Sequence, residues 1–312
     1  MDVSVILLTR DTCQLTREAI ESILSSSDTL SKEIHVVDNA STDDTPSVLP
    51  AAFPEIRYSR LERNLGFARG ANFAARESAG EFLLLLNSDA RVAPDALQIA
   101  VDWMRAHPWC GIAGGQLYHP DGRKQNSIAN FPSLATELLN KFLLRAFWPE
   151  RFPGKEREIR EPLEVESVIG AFFLARRSVW DELGGLDERY FFFLEETDFC
   201  LRARQAGFSA VHLPQVRVWH GQGQTARRNL AGARIEYWRS RYAYFARHRP
   251  IPVGLLLRAG LLLRLAVDAI VSGLLTALSL GQSRRWRDKF AVHRALVWWH
   301  LRGCPAEMGL PR

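Results

Sequence analysis

Residues 82–89 read FLLLLNSD, an apolar run that ends abruptly in Asn87, Ser88 and Asp89. A continuous apolar run is typical of a strand that is buried on both faces of a parallel sheet. Residues 94–107 then have helical spacing, with a proline in the first turn. A strand that ends on polar residues just before a helix indicates a ligand site at the carboxyl end of the strand.

The first 110 residues repeat this alternation. The predicted strands are 3–8, 33–41 and 56–60, and the predicted helices are 17–24 and 66–79. Such alternation indicates β-α-β units and an α/β fold with a mostly parallel central sheet. The second strand ends in Asp38, so we expect Asp38 and Asp89 at the same edge of the sheet, where such folds bind ligands.

The middle of the chain is less regular. A strand and turn are predicted near 110–121, an apolar and aromatic helix near 134–148, and a charged, mobile loop at 149–162. Residues 166–208 return to the order strand, short helix, turn and helix.

Candidate catalytic side chains follow in the last third. Glu195, Glu196 and Asp198 come directly after the aromatic residues 190–193, of which Phe191–Phe193 are either core or a platform for a sugar ring. Carboxylates beside aromatic rings are candidates for a raised pKa and hence for a general base. His220 follows another apolar strand, as a metal ligand or as a structural histidine.

Charge divides the chain near residue 226. The net charge is +5, but residues 227–312 contain 16 Lys+Arg against 4 Asp+Glu, so residues 1–226 are acidic overall. We therefore expect a catalytic domain at 1–226 and a basic, amphipathic helical region at 227–312 that meets an anionic partner.

The basic region contains an apolar stretch, 253–281, which Arg258, Arg264 and Asp268 interrupt. The longest uncharged run, Ala269–Ser283, has 15 residues, fewer than the ~20 that a membrane-spanning helix needs. We expect a helix or helix pair that lies in the membrane interface or packs on the catalytic domain, with a core helix of a helical subdomain or an oligomer contact as alternatives. The expected partner is an anionic membrane surface and not nucleic acid, because the positive charge accompanies apolar helices.

The N-terminal sequence MDVSVILLTR enters a strand at once, so no secretory signal is expected. Four cysteines without a Cys-x-x-Cys pair are expected to be reduced thiols. The expected location is cytoplasmic, peripheral on the inner face of the cell membrane.

Five ordered segments resemble the family 2 glycosyltransferases of GT-A fold, most closely the non-processive, rhamnosyltransferase-like branch. They read VSVILLTRDTCQLTREAIESIL, HVVDNASTDDT, NLGFARGANFAAR, LLLLNSDARVAPDAL and GAFFLARRSVWDELGGLDERYFFFLEETDFCLRARQAGF, and the resemblance covers about residues 1–250. It implies a Rossmann-like domain that binds a nucleotide sugar.

The resemblance also implies roles for the donor-binding residues. The residues implied at the nucleotide and diphosphate are Thr9, Arg10, Asp38, Asn64, Gly66, Arg69, Asn87 and Ser88. Asp38 would hold the nucleotide base, although it could instead cap the following helix. Arg69 would reach the diphosphate, although it could instead belong to a solvated helix face.

The metal and the base follow from the same resemblance. Asp89 would bind the diphosphate through Mg²⁺ or Mn²⁺, and His220 would complete or neighbour that site. Glu196 would be the catalytic base. It replaces the aspartate usual in the family, which leaves the choice among Glu195, Glu196 and Asp198 open.

The implied enzyme is an inverting, metal-dependent glycosyltransferase that moves one sugar, with rhamnose as the first expectation. The donor would be a dTDP-, UDP- or GDP-sugar, and the acceptor a hydroxyl of a glycan or lipid-linked glycan. The alternative is a catalytically inactive, nucleotide-sugar-binding scaffold at the membrane. The oligomeric state stays open.

Overall fold

The computed structural model describes residues 1–152, 158–221 and 229–312. Its strands are β1 Val3–Thr9, β2 Lys32–Asp38, β3 Arg57–Arg60, β4 Phe82–Asn87, β5 Ala90–Val92, β6 Cys110–Tyr118, β7 Ile128–Ala129, β8 Leu163–Val165, β9 Ser167–Val168, β10 Phe172–Arg176 and β11 Ser209–His220. Its helices are α1 Cys13–Leu24, α2 Thr45–Ala52, α3 Phe67–Arg76, α4 Ala96–Ala106, α5 Leu134–Leu138, α6 Lys141–Phe147, α7 Arg177–Leu183, α8 Glu195–Gln205, α9 Leu230–His248, α10 Ile251–Leu278 and α11 Arg284–Leu301. Part of the predicted charged loop, 153–157, lies outside the described residues.

The chain forms two compact units. The first comprises Met1–Phe131, Pro149–Phe191 and Glu195–Gln224, and the second comprises Pro132–Trp148, Phe192–Leu194 and Thr225–Arg312. The first unit contains both sheets, and the second is helical in the part that the structure describes.

A nine-stranded sheet organises the first unit. Its order is β3-β2-β1-β4-β10-β6-β11-β5, with β8 also paired to β11. Strands β10, β5 and β8 run opposite to the others, so the predicted mostly parallel sheet is confirmed. The side chains of β1 explain its unbroken apolar sequence, because Val5 and Leu7 pack into the core on one face and Ile6 into the core on the other.

Several element boundaries differ from the prediction. Helix α1 begins at Cys13, whereas the apolar spacing predicted a start at residue 17. The predicted helix near 134–148 is two short helices, α5 and α6, because the Asn140 side chain accepts a hydrogen bond from the Phe142 N–H and starts a new helix.

The register of β11 matters for the site. An irregularity between Leu213 and Arg217 shifts the pairing of β11 with β6. Beyond it β11 also pairs with β5, and His220 comes to lie opposite Ala90. This long-range pairing brings the end of β11 beside Asp89.

The second unit is built on α9, α10 and α11. Helix α10 has 28 residues and is long and apolar enough to cross a membrane, judged by length and composition alone. Only a narrow stripe that includes Leu257, Leu261 and Leu265 is buried. Much of the rest is exposed, such as Leu263, which is 69% accessible. Arg258 and Arg264, taken as interruptions in the sequence, lie within one continuous helix.

Candidate active site

The carboxyl ends of β1 and β2 are joined by hydrogen bonds. The Asn39 N–H donates to the Thr9 carbonyl oxygen at 2.9 Å. The Thr9 hydroxyl contacts the Thr12 hydroxyl at 3.0 Å, and the Thr12 hydroxyl donates to Ser88 at 3.2 Å. Arg10, the next residue, lies beside the carboxylate that follows it. The first strand therefore contacts both of its neighbours, β2 and β4, at the predicted ligand edge.

Asp38 is fully buried at the end of β2. Its carboxylate accepts the Ser41 N–H at 2.8 Å and the Tyr58 hydroxyl at 2.7 Å, and Arg60 lies 3.7 Å away. Burial, and then the Asp38 carboxylate, raise the pKa of Tyr58. Asp38 shapes its own loop and does not cap α2, which begins at Thr45 after Asp44.

Asn39 links this end of β2 to the start of α3. Its side chain accepts the Leu65 N–H at 2.8 Å and donates to the Gly66 carbonyl oxygen at 3.2 Å, while Asn64 accepts the Gly66 N–H at 3.0 Å. Gly66 has a φ of +83°, and a Cβ there would collide with the Phe191 carbonyl oxygen. The segment at 64–66 therefore lies between Asn39 and the loop that leads to α8.

The Arg69 side chain lies on the exposed face of α3, away from the buried residues of that helix. It is exposed, and its Nε lies 3.4 Å from the Glu188 carboxylate, which also contacts Arg76 at 3.3 Å. This surface ion-pair network suits the solvated-face alternative for Arg69, and a diphosphate contact stays a prediction.

Asp89 and His220 are in direct contact. The Asp89 carboxylate lies 3.3 Å from His220 Nε2, and the Asn87 side-chain nitrogen lies 3.3 Å from the same atom. The Gly221 N–H also donates to the Asp89 carbonyl oxygen at 2.9 Å. The two residues predicted as metal ligands are thus adjacent.

Gln125 fixes the orientation of His220, and nothing in the sequence pointed to it. The buried amide nitrogen of Gln125 faces the carbonyl oxygens of His220 and Tyr118, so that atom is the donor. The Gln125 carbonyl oxygen then accepts from His220 Nδ1 at 3.1 Å, which places the proton on Nδ1. With that proton on Nδ1, the neutral form of the ring has a lone pair on Nε2, the atom 3.3 Å from Asp89.

The three acids of the LEETD segment have different surroundings. Asp198 is fully buried, and its carboxylate accepts from Arg202 at 2.7 Å and from the Tyr190 hydroxyl at 3.2 Å. Glu195 is buried, and one of its oxygens has no hydrogen-bond partner among the described residues. Burial, and then the charge of Glu196, raise the pKa of Glu195 well above its usual value. The contacts of Asp198 are those of a residue that braces its helix.

Glu196 is only half-buried, and burial raises its pKa as well. Its side chain packs beside Gly170, where an added Cβ would lie 3.6 Å from Glu196 Cγ. The next residue, Ala171, accepts the Asn87 N–H through its carbonyl oxygen at 3.2 Å. Glu196 and the end of β4 therefore adjoin neighbouring residues, Gly170 and Ala171. The edge of the sheet that carries Asp38, Asp89, His220 and Glu196 is called the rim below.

Left-handed backbone adjoins both acidic segments of the rim. Phe193 and Leu194, directly before Glu195, have φ values of +74° and +67°, and Ala40 has a φ of +63° two residues after Asp38. Non-glycine residues adopt this conformation at a cost, and such residues concentrate at functional sites.

The rim fits a divalent cation with few protein ligands. Among residues 1–152, 158–221 and 229–312, no group of three or more His, Cys, Asp or Glu side chains gathers as a metal site. The Asp89 oxygen and the His220 lone pair would supply two ligands. A hard cation such as Mg²⁺ or Mn²⁺ would keep further positions for phosphate oxygens or water.

Comparison with known proteins returns glycosyltransferases. Residues 4–184 match the family described as Glycosyl transferase family 2. The chain is 30% identical over 278 residues to the N-acetylglucosaminyl-diphospho-decaprenol L-rhamnosyltransferase of Mycobacterium tuberculosis, an alignment that covers 83% of this chain and 88% of that relative.

Solved structures share the fold. The mannosyltransferase PcManGT from Pyrobaculum calidifontis has a TM-score of 0.56 at 20% identity, covering 96% of this chain and 86% of that one. TarS 1–349 of S. aureus has a TM-score of 0.56 at 16% identity, covering 94% of this chain and 79% of that one.

The chain belongs to glycosyltransferase family 2. It is a glycosyltransferase of GT-A fold with rhamnosyltransferases among its relatives, so the predictions of family, fold and enzyme class are confirmed.

Proposed function

We propose that the protein is an inverting, metal-dependent glycosyltransferase that moves one sugar, rhamnose, from a nucleoside-diphosphate donor to a hydroxyl of a lipid-linked glycan. The observation that carries the proposal is the rim itself, where the Asp89–His220 pair follows β4 and the Glu196 side chain packs beside Gly170, next to the residue that binds the end of β4. A single displacement needs one group that stabilises the leaving group and another that accepts the proton of the nucleophile.

The donor nucleotide would bind at the ends of β1 and β2. Asp38 already accepts hydrogen bonds from Ser41 and Tyr58, but a carboxylate has about four lone-pair sites. A lone pair is therefore left for the imide N–H of a pyrimidine base, which would reach it once the buried carboxylate is uncovered. The backbone at Thr9 and Arg10 would form the wall of this pocket, and Asn64 and Gly66 would line its far side.

The diphosphate would bind beside Asp89 and His220, which would hold Mg²⁺ or Mn²⁺. A bound cation supplies positive charge where the departing diphosphate gains negative charge. Gln125 keeps His220 in the tautomer that can bind the cation. A divalent metal is also suggested by PcManGT, which was solved with GDP-Man and Mn²⁺.

Glu196 would be the base. The acceptor oxygen forms a bond to the anomeric carbon as the bond from that carbon to the diphosphate oxygen breaks, and the acceptor proton passes to Glu196. The configuration inverts because the nucleophile enters opposite the leaving group. The raised pKa of Glu196 suits this role, because a stronger base removes a hydroxyl proton more readily.

The acceptor and location follow from the relatives and from the second unit. The M. tuberculosis relative is named for an N-acetylglucosaminyl-diphospho-decaprenol acceptor. The exposed apolar surface of α10 and the basic residues of 227–312 suit an anionic membrane surface. We therefore place the enzyme on the cytoplasmic face of the membrane, with 1–226 as the catalytic domain.

The test is turnover of dTDP-rhamnose with an N-acetylglucosaminyl-diphospho-polyprenol acceptor, with Mn²⁺ and with EDTA. We expect a singly glycosylated lipid whose anomeric configuration, read by NMR, is opposite to that of the donor, and no product in EDTA. Retained configuration would contradict the mechanism. Donor binding without turnover under any condition would favour an inactive scaffold.

A further inference from the structure

The second unit contains an open pocket of about 1240 Å³, lined by α5, α9, α10 and α11. Trp238, Leu261, Leu265 and Leu296 are buried residues of its wall. Pockets for small ligands usually measure about 300–1,000 Å³. This pocket is therefore large enough for a long apolar chain.

The charges around this pocket are only partly compensated. Five of its charged side chains lie in three ion pairs, Arg241–Glu137 at 3.1 Å, Arg264–Asp268 at 3.7 Å and Asp288–Arg284 at 3.7 Å. Arg234 and Lys289 also line the pocket, and neither has a carboxylate within ion-pair distance in the described part of the chain. Both are exposed, so the pocket combines an apolar wall with two accessible cations.

We propose that this pocket binds a polyprenyl diphosphate, with the isoprenoid chain against the apolar wall and the diphosphate at Arg234 and Lys289. The proposal rests on the proposed function for the statement that the acceptor is lipid-linked. It adds a binding site for the lipid part of that acceptor, in a unit that carries none of the predicted catalytic residues.

The chemistry of the pocket favours an amphiphile over its separate parts. Burial of an isoprenoid chain against the apolar wall is favourable because its apolar surface leaves water. An isoprenoid alcohol of the same length would bury that surface but would leave both cations without an anion. Inorganic diphosphate meets the cations but leaves the apolar wall in water. Only a molecule with both parts uses both features, and charge-assisted hydrogen bonds from Arg and Lys suit phosphate oxygens.

Binding to the full-length protein can be measured with farnesyl diphosphate, farnesol and inorganic diphosphate, in EDTA so that a metal-bound donor site does not contribute. The test variant is Arg234→Ala with Lys289→Ala. The control is Arg287→Ala with Arg294→Ala, which removes the same charge from exposed residues of α11 that do not line the pocket. We expect the test variant to bind farnesyl diphosphate about tenfold more weakly, and the control to match the wild type.

A second pair of variants tests the apolar wall. Val292→Trp fills the pocket, whereas Val271→Trp adds the same bulk to a half-exposed residue of α10 outside it. Only the first should weaken farnesyl diphosphate binding. The proposal is overturned if both double variants bind alike, if inorganic diphosphate binds as tightly as farnesyl diphosphate, or if phosphatidylglycerol vesicles compete equally well.

Transfer assays separate this proposal from the proposed function. We expect Arg234→Ala with Lys289→Ala to raise KM for the lipid acceptor while donor hydrolysis stays at the wild-type rate. An unchanged acceptor KM would overturn the pocket alone. A wild-type protein that turns over no donor would overturn the proposed function, whereas the farnesyl diphosphate measurements would still decide the pocket.

Discussion

The rim of the first unit and the Glu236 site of the second unit each contain a buried glutamate, Glu195 and Glu236, but they differ in the cations around it. Glu236 is fully buried, and its carboxylate contacts Arg239 and accepts the Leu310 N–H, with Arg312 at 3.8 Å. Glu195 and Glu196 have no Arg or Lys within ion-pair distance among the described residues. The arginines compensate the buried charge of Glu236, whereas the buried carboxyl group of Glu195 has no such cation beside it.

This difference separates architectural acids from reactive ones. A carboxylate that is paired with arginine stabilises the fold and is a weak base. An acid without a cation costs stability and holds its proton more tightly, which is the property that a general base needs. Asp198, paired with Arg202, belongs with Glu236 by this criterion although it lies beside Glu196.

The largest effect is expected at Asp89. Asp89→Asn keeps the shape of the side chain but removes the charge that would bind the cation, so kcat should fall about 10³-fold, which corresponds to several kcal/mol of lost charge stabilisation. Asp95→Asn is the control, because Asp95 precedes α4 without a side-chain capping bond. Equal activity of the two variants would show that Asp89 is not a metal ligand.

The next effect concerns Gln125. Gln125→Leu removes the acceptor that holds the proton on His220 Nδ1, so Mn²⁺ affinity, measured by electron paramagnetic resonance, should fall about 10- to 100-fold. Gln215→Leu, on the same strand as His220, is the control. If the Mn²⁺ affinity of Gln125→Leu stayed at the wild-type value, the hydrogen bond would have no part in metal binding.

The comparison predicts stability changes of opposite sign. Glu236→Gln should lower the free energy of unfolding in urea by about 2 kcal/mol, because it leaves Arg239 without its anion. Glu195→Gln should raise that free energy at neutral pH, because it removes a buried charge without a partner. A loss of stability in both variants would show that Glu195 is compensated as Glu236 is.

The smallest effect is a pH dependence. The pKa of Glu195 in the folded protein is raised above 4.5, so the unfolded chain releases this proton first as pH rises. The wild type therefore loses stability between the unfolded and the folded pKa, and keeps that loss at higher pH. Glu195→Gln lacks this titration, so its advantage in the free energy of unfolding should be larger at pH 8 than at pH 4. An advantage independent of pH would contradict the raised pKa.

The sequence predicted the sheet because its strands are buried on both faces. Such burial makes β1 and β4 continuous apolar runs, and the polar residues that follow them mark the ligand edge. Local signals also predicted α8 and its acids. The division of 134–148 into α5 and α6 was not predicted, because one asparagine cap decides it.

The details of the site depend on contacts between distant residues, which the sequence does not reveal. His220 reaches Asp89 only because an irregularity in β11 changes its register. Gln125 is separated from His220 by 95 residues, in a segment with no motif. The surroundings of Glu195 and Asp198 were also not predictable, because adjacent acids of one helix meet different neighbours in the folded chain.

The most direct test of the central claim is Glu196→Gln, measured for both sugar transfer and donor affinity. We expect a fall in transfer of about 10²–10⁴-fold with donor affinity unchanged, and full activity in the control Glu182→Gln, which alters an exposed residue of α7. Transfer at the wild-type rate by Glu196→Gln would contradict the assignment of Glu196 as the base.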